Sequence, residues 1–108
     1  MKKAVLYARV SSRDQEREGF SIPAQEKLLR EYAARNQFQV IREFVDVETA
    51  KQPGRKQFAE MVQFFENSSD CRTVIVEKTD RLYRNFRDSL TLEDLAVEIH
   101  LVKDGLVL

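Results

Sequence analysis

An α/β domain in three layers, a mainly parallel sheet of four to five strands flanked by helices, is the fold this sequence predicts. Three observations carry that reading. Short β-branched and apolar runs alternate with segments of helical period along the 108 residues. The runs at Ala4–Val10 and Thr73–Val76 are largely apolar, as central parallel strands covered on both faces are. Polar clusters follow the strands, and parallel sheets bind ligands outside the carboxyl ends of their strands.

Taken in order, Ala4 to Val10 reads as the first strand and Ser11 to Phe20, polar and containing Gly19, as the loop that leaves it. Ser21 can cap a helix whose first turn tolerates Pro23. On that helix Ile22, Leu29 and Ala33, with Leu28 and Tyr32, recur at helical spacing, and Gln25 falls on the same inward side. A second strand spans roughly Gln39 to Val45. Asp46 through Arg55, with Pro53-Gly54, reads as a loop given local positive charge by Lys51 and Arg55.

Phe58, Met61, Val62 and Phe65 sit at i, i+3, i+4 and i+7, which marks a second helix, and Asn67 to Asp70 stops it. Thr73 to Val76 is the strongest buried-strand signal, and it runs into the polar stretch Glu77 to Asn85. Leu92 and Leu95 suggest a third helix and Ile99 to Val102 a fourth strand. Leu106 to Leu108 is an apolar end with no turn residue after it, so one domain covering 1–108 is expected to stop short of its natural boundary.

Apolar residues make up 43% and charged residues 33%, an ordinary globular balance able to bury a modest core. Eighteen basic residues against 18 acidic ones leave no net charge, so there is no global basic field to attract nucleic acid. Any DNA contact must come from local clusters. Cys71 is the only cysteine and His100 the only histidine, which excludes an internal disulfide and a Cys/His zinc cage and fits a reducing, cytoplasmic setting. The opening apolar run is too short to span a bilayer, so no membrane partner is expected.

If the loops after the strands converge, Arg9, Arg55, Arg81 and Arg84 surround Ser11 and Ser12. A planar, always-charged guanidinium suits bidentate binding of phosphate oxygens. Arg81 and Arg84 are three apart and would share one side of a helical turn that Asp80 could cap, although the same spacing describes a solvated helix face. A serine after a strand is more often a cap than a nucleophile, and there is no histidine-based triad. His100 and Cys71 read as packing residues. Gly19, Gly54 and Gly105 are too scattered to cradle phosphate, and Asp46, Asp80 and Asp88 form no magnesium motif, so no cofactor, metal or small-molecule substrate is expected.

In order, Tyr7-Ala8-Arg9-Val10-Ser11-Ser12 with Gln15, then Gln25, Arg55 and Asp80-Arg81-Leu82-Tyr83-Arg84-Asn85 resemble the serine recombinases of the resolvase and invertase type. The resemblance covers nearly the whole chain, and the large-recombinase and transposon-associated branch is the nearest in its Asp46–Arg55 loop. It implies a resolvase-like catalytic domain in which Ser11 attacks a DNA phosphodiester to form a 5′-phosphoserine link. Arg9, Arg81 and Arg84 would bind the scissile phosphate, Gln25 and Arg55 would support it, and Asp80 would orient an arginine or assist proton transfer to the leaving 3′-oxygen. Ser12 stands where threonine is frequent and is a second hydroxyl to weigh, and Tyr83 stands where a smaller residue is common. The resemblance also implies DNA as partner, homodimers and tetramers of the full-length protein, no ATP or metal, and a long helix and DNA-binding region beyond this chain. A noncatalytic α/β module that binds phosphate or DNA with the same arginines is the competing reading.

Overall fold

The apolar opening run forms β1, Lys2–Ser11, in which Ala4 to Ala8 and Val10 are buried. A computed structural model describes residues 1–11, 21–48 and 54–108. β1 lies between two parallel neighbours, β2 (Phe38–Glu48) and β3 (Thr73–Val76). Both of its edges are therefore paired, and its sequence reads as nearly continuous apolar because helices cover both of its faces. β3 pairs in parallel with β4 (Glu98–Leu101), and β5 (Leu106–Val107) closes the sheet antiparallel to β4 in the order β2-β1-β3-β4-β5. The mainly parallel sheet is as expected, with five strands.

Alternation along the strands separates two cores. Ala4, Leu6, Phe38 and Ile75 pack with Leu29 and Ala33 of helix α1 (Ile22–Arg35) on one face. Val5, Tyr7, Phe44, Val74 and Val76 pack on the other with Phe58, Met61 and Phe65 of α2 (Lys56–Asn67), Leu82 of α3 (Thr79–Leu82) and Leu92 of α4 (Phe86–Asp94). The result is three layers.

The helix starts show two kinds of cap. Ser21 Oγ accepts from the Ala24 amide at 3.3 Å, with Pro23 in the first turn, as the sequence implies. Arg55 stands at the start of α2 and offers no side-chain cap. Instead Asp46, on β2, accepts from the amides of Gln57 and Phe58, both at 2.9 Å. A distant carboxylate satisfies that end.

Several boundaries differ from the sequence reading. β2 continues three residues past Val45, because its ladder with β1 runs on through Arg9↔Asp46 and Ser11↔Glu48, so Asp46 is a buried strand residue and not part of a loop. Polarity alone made it read as a turn. Thr79–Leu82 is a helical turn inside what reads as a polar cluster. On α1 the buried stripe is Gln25, Leu29 and Ala33, while Ile22 and Leu28 are only half-buried. α4 ends at Asp94 with Leu95 as its C-cap, and Leu106–Val107 is an edge strand and not an open apolar end. Most of the predicted loop from Ser11 to Phe20, with Ser12 and Gln15, lies outside the described residues, as do Lys51 and Pro53.

Candidate active site

Parallel pairing brings the carboxyl ends of β1, β2 and β3 to one edge of the sheet. Strand alternation puts Tyr7, Arg9 and Ser11 on the α2 face of β1, with Asp46 and Glu48 beside Arg9 and Ser11 on β2. The α3 turn follows β3 directly and overhangs the same edge.

Arg9 and Arg81 are locked to each other through their backbones. Arg9 Nε donates to the Arg81 carbonyl at 3.4 Å, its Nη2 donates to the Asp80 carbonyl, and Arg81 Nη1 donates back to the Arg9 carbonyl at 3.4 Å. Arg81 also pairs with Glu77, Nε to Oε1 at 3.6 Å, and Glu77 Oε2 lies 3.9 Å from Lys103. From the opposite face of the sheet, fully buried Gln25 completes the grip. Its Oε1 accepts from the Arg9 amide at 3.2 Å and its Nε2 donates to the Arg9 carbonyl at 3.0 Å. One side chain thus imitates a strand partner at the point where β1 delivers Arg9.

Glu48 joins Arg9 to Arg84. Its Oε1 lies 3.6 Å from Nη1 of each. Arg84 is the exposed member, with 46% of its side chain open to solvent against 14% for Arg9 and 4% for Arg81. It borders an open cleft of about 430 Å³ lined by Thr79, Asp80, Tyr83, Asn85, Phe86 and Ser89.

Arg55 is enclosed. Its Nε and Nη2 donate to the Tyr7 hydroxyl at 3.3 and 3.2 Å, Nη1 donates to Asp88 Oδ2 at 2.5 Å, and Nη2 also meets the Leu82 carbonyl. The guanidinium carbon sits 4.0 Å from the Phe58 ring centre. Tyr7 in turn donates to Asp46 Oδ2 at 2.7 Å. Burial, reinforced by that hydrogen bond and opposed by Arg55, pushes the Tyr7 hydroxyl far above its ordinary value of 10.0, so it stays protonated. Asp88 Oδ2 accepts from the Arg84 amide at 2.7 Å as well, which ties the enclosed arginine to the backbone of the exposed one.

Three sequence expectations need correction here. Arg81 and Arg84 do not share a helical face: α3 ends at Leu82 and Tyr83 turns extended, so Arg81 is buried and Arg84 points outward. A solvated helix face does not describe Arg81. Asp80 is not the cap of that turn, since Lys78 precedes the helix and the Asp80 carboxylate faces solvent 3.7 Å from Lys78 Nζ. What Asp80 gives Arg9 is its backbone carbonyl. Arg55 does not lend its loop an open positive charge, because Asp88 neutralises it in the interior.

Sequence reasoning missed Tyr7 as a hinge of this network, and it missed the carboxylates Asp46, Glu48, Glu77 and Asp88. A usable signal existed for three of them. With β1 and β2 paired, acids spaced two apart at the end of β2 fall on the row of Arg9 and Ser11. Asp88 three residues after Asn85 is a capping pattern, and Asn85 Oδ1 does accept from the Asp88 amide at 3.1 Å.

The arrangement brings together Arg9, Ser11, Gln25, Arg55, Arg81 and Arg84, with Asp80 contributing backbone. The exposed guanidinium of Arg84 and the largely covered one of Arg9, with buried Arg55 and Arg81 behind them, form a cradle suited to an anion with several oxygens. Among the described residues no cluster of three or more acidic, histidine or cysteine side chains could hold a metal.

A family model described as the N-terminal domain of resolvase matches residues 4–106. The N-terminal catalytic domain of TP901-1 integrase superposes with a TM-score of 0.80 at 31% identity, over 98% of this chain and 82% of that one. A resolvase family site-specific recombinase from Streptococcus pneumoniae gives 0.82 at 28% identity, over 99% and 76%. The C-terminal catalytic domain of ISC1926 TnpA, an IS607-like serine recombinase, gives 0.73 at 27% identity, over 93% and 67%. No curated protein matches the sequence.

Proposed function

The chain belongs to the resolvase N-terminal domain family of serine recombinases, and from that membership we propose that it cleaves and rejoins DNA at a specific site through a 5′-phosphoserine intermediate. The observation that carries the reading is the shared Glu48 contact of Arg9 and Arg84 beside Ser11, which gathers one guanidinium group from β1 and one from the segment between α3 and α4 where a hydroxyl is also delivered.

In this mechanism Arg9 and Arg84 hold the non-bridging oxygens of the scissile phosphate, and Arg81 adds charge from beneath. Ser11 Oγ attacks phosphorus, the bond to the 3′-oxygen breaks, and the serine proton and the leaving oxygen's proton balance through solvent or Asp80. Guanidinium charge stabilises the extra negative charge of the transition state. One phosphoester replaces another of similar energy, so rejoining needs no ATP. Gln25 and Arg55 act indirectly: Gln25 fixes the Arg9 backbone, and Arg55 with Tyr7, Asp46 and Asp88 fixes the floor beneath it.

Exchange between two duplex sites breaks four strands, and one serine per strand calls for four copies. Homodimers that pair into tetramers on DNA, in the cytoplasm, complete the proposal. Among the described residues no helix is long and apolar enough to cross a membrane.

The test is covalent trapping on DNA carrying the recombination site. In the full-length protein, wild type and Ser12→Ala should yield a protein-DNA adduct on denaturing gels, and Ser11→Ala none. Adduct persisting in Ser11→Ala would overturn the nucleophile. DNA binding without adduct in any form would favour a noncatalytic binding module.

A further inference from the structure

We propose that Glu48 is an internal competitor for phosphate that holds Arg9 and Arg84 until a phosphate presented by DNA displaces it. The inference rests on reading these arginines as the phosphate cradle.

Of the four carboxylates around the arginines, three have evident structural duties. Asp46 caps α2 and holds Tyr7, Asp88 joins Arg55 to the Arg84 amide, and Glu77 pairs with buried Arg81 and with Lys103. Glu48 differs. Among the described residues it meets only the two arginines, both through Oε1 and both at 3.6 Å. That oxygen is buried and accepts no hydrogen bond. Ion pairs this long, lacking a hydrogen bond, satisfy neither guanidinium fork.

A tetrahedral phosphate offers each fork an oxygen pair that a single shared oxygen cannot. In register Glu48 is also the neighbour of Ser11, so its carboxylate lies on the same row as the attacking hydroxyl. It therefore stands among the groups a scissile phosphate must reach, and the exposed side of Arg84 leaves an entrance.

Displacing Glu48 costs the same whichever phosphate arrives. A free anion has only local contacts to offset that cost, whereas duplex DNA adds neighbouring phosphates and counterion release. Glu48 thereby weakens both by the same factor and keeps small anions off the cradle at concentrations where DNA still binds.

The experiment titrates inorganic phosphate, and separately a short DNA duplex, into wild type, Glu48→Gln and Glu48→Ala, following amide NMR shifts for phosphate and anisotropy for the duplex. Thermal midpoints establish that each variant is folded. Both substitutions should raise phosphate affinity about tenfold, the scale of removing one close, partly buried charge, and duplex affinity by a comparable factor. Arg84→Ala added to Glu48→Gln should cancel the gain.

Unchanged or weaker phosphate binding in Glu48→Gln would overturn the proposal and make Glu48 a positioning residue. A rise with alanine alone would overturn it by showing bulk, not charge, to be the obstacle. A rise for phosphate but not for duplex would overturn displacement by DNA. If Arg84→Ala leaves phosphate binding untouched in wild type and in Glu48→Gln alike, the cradle reading itself fails.

Discussion

Arg55 and Arg84 lie at the same edge of the sheet and share Asp88, yet their surroundings are opposite. Arg55 is 7% exposed and spends its donors on Tyr7, Asp88 and the Leu82 carbonyl. Arg84 is 46% exposed and, among the described residues, makes one loose ion pair through its side chain, to Glu48. A guanidinium bound on every side is part of the scaffold, and one held by a single displaceable anion is available to a ligand. Residue type did not distinguish them; the number of fixed partners did.

The sharpest way to break this contrast is to remove the enclosed cation. Arg55→Ala leaves Asp88 half-buried without its cation and strips a donor pair from Tyr7, so unfolding by denaturant should show a loss of about 3–5 kcal/mol. Arg55→Lys should recover little of it, since an ammonium cannot reproduce the planar fork. A loss below about 1 kcal/mol in Arg55→Ala would place Arg55 with Arg84.

Next in size is Gln25→Ala. It strips the Arg9 amide of the Gln25 acceptor and leaves the Arg9 carbonyl with the long bond from Arg81, and should cost about 1–3 kcal/mol by the same measurement. Phosphate affinity should fall along with stability, because Arg9 loses its anchor.

Tyr7→Phe should cost about 1–1.5 kcal/mol and, more tellingly, change the response to alkali. The folded protein holds the Tyr7 proton to higher pH than the unfolded chain does. The stability this contributes is complete below the ordinary tyrosine value near 10.0 and is lost as pH rises from there toward the folded value. Unfolding followed across that window should show a shallower decline in Tyr7→Phe than in wild type. Equal slopes would mean that the hydroxyl is not held as described.

The smallest structural effect belongs to Arg84→Ala, within about 0.5 kcal/mol of wild type, with loss of phosphate binding. A large destabilisation there would erase the contrast with Arg55.

What the sequence revealed follows from the range of the interactions involved. Thr73–Val76 and the Phe58, Met61, Phe65 spacing are local patterns, and the strands and helices they imply are present. Ser21 announced its helix because its cap bond spans three residues. The arginines were legible as a set through their family pattern and their places after strands. Their division of labour was not, because it depends on partners far along the chain: Asp88 is 33 residues from Arg55, and Tyr7 is 39 from Asp46. Asp46 and Glu48 read as loop polarity until the ladder with β1 placed them in rows beside Arg9 and Ser11.

The measurement that bears most directly on this account is an NMR titration of the arginine Nε–Hε signals with a short DNA duplex. The Arg9 and Arg84 signals should shift together and saturably while that of Arg55 stays in place. Movement of Arg55 with Arg9 and Arg84 unmoved would contradict the division between brace and cradle.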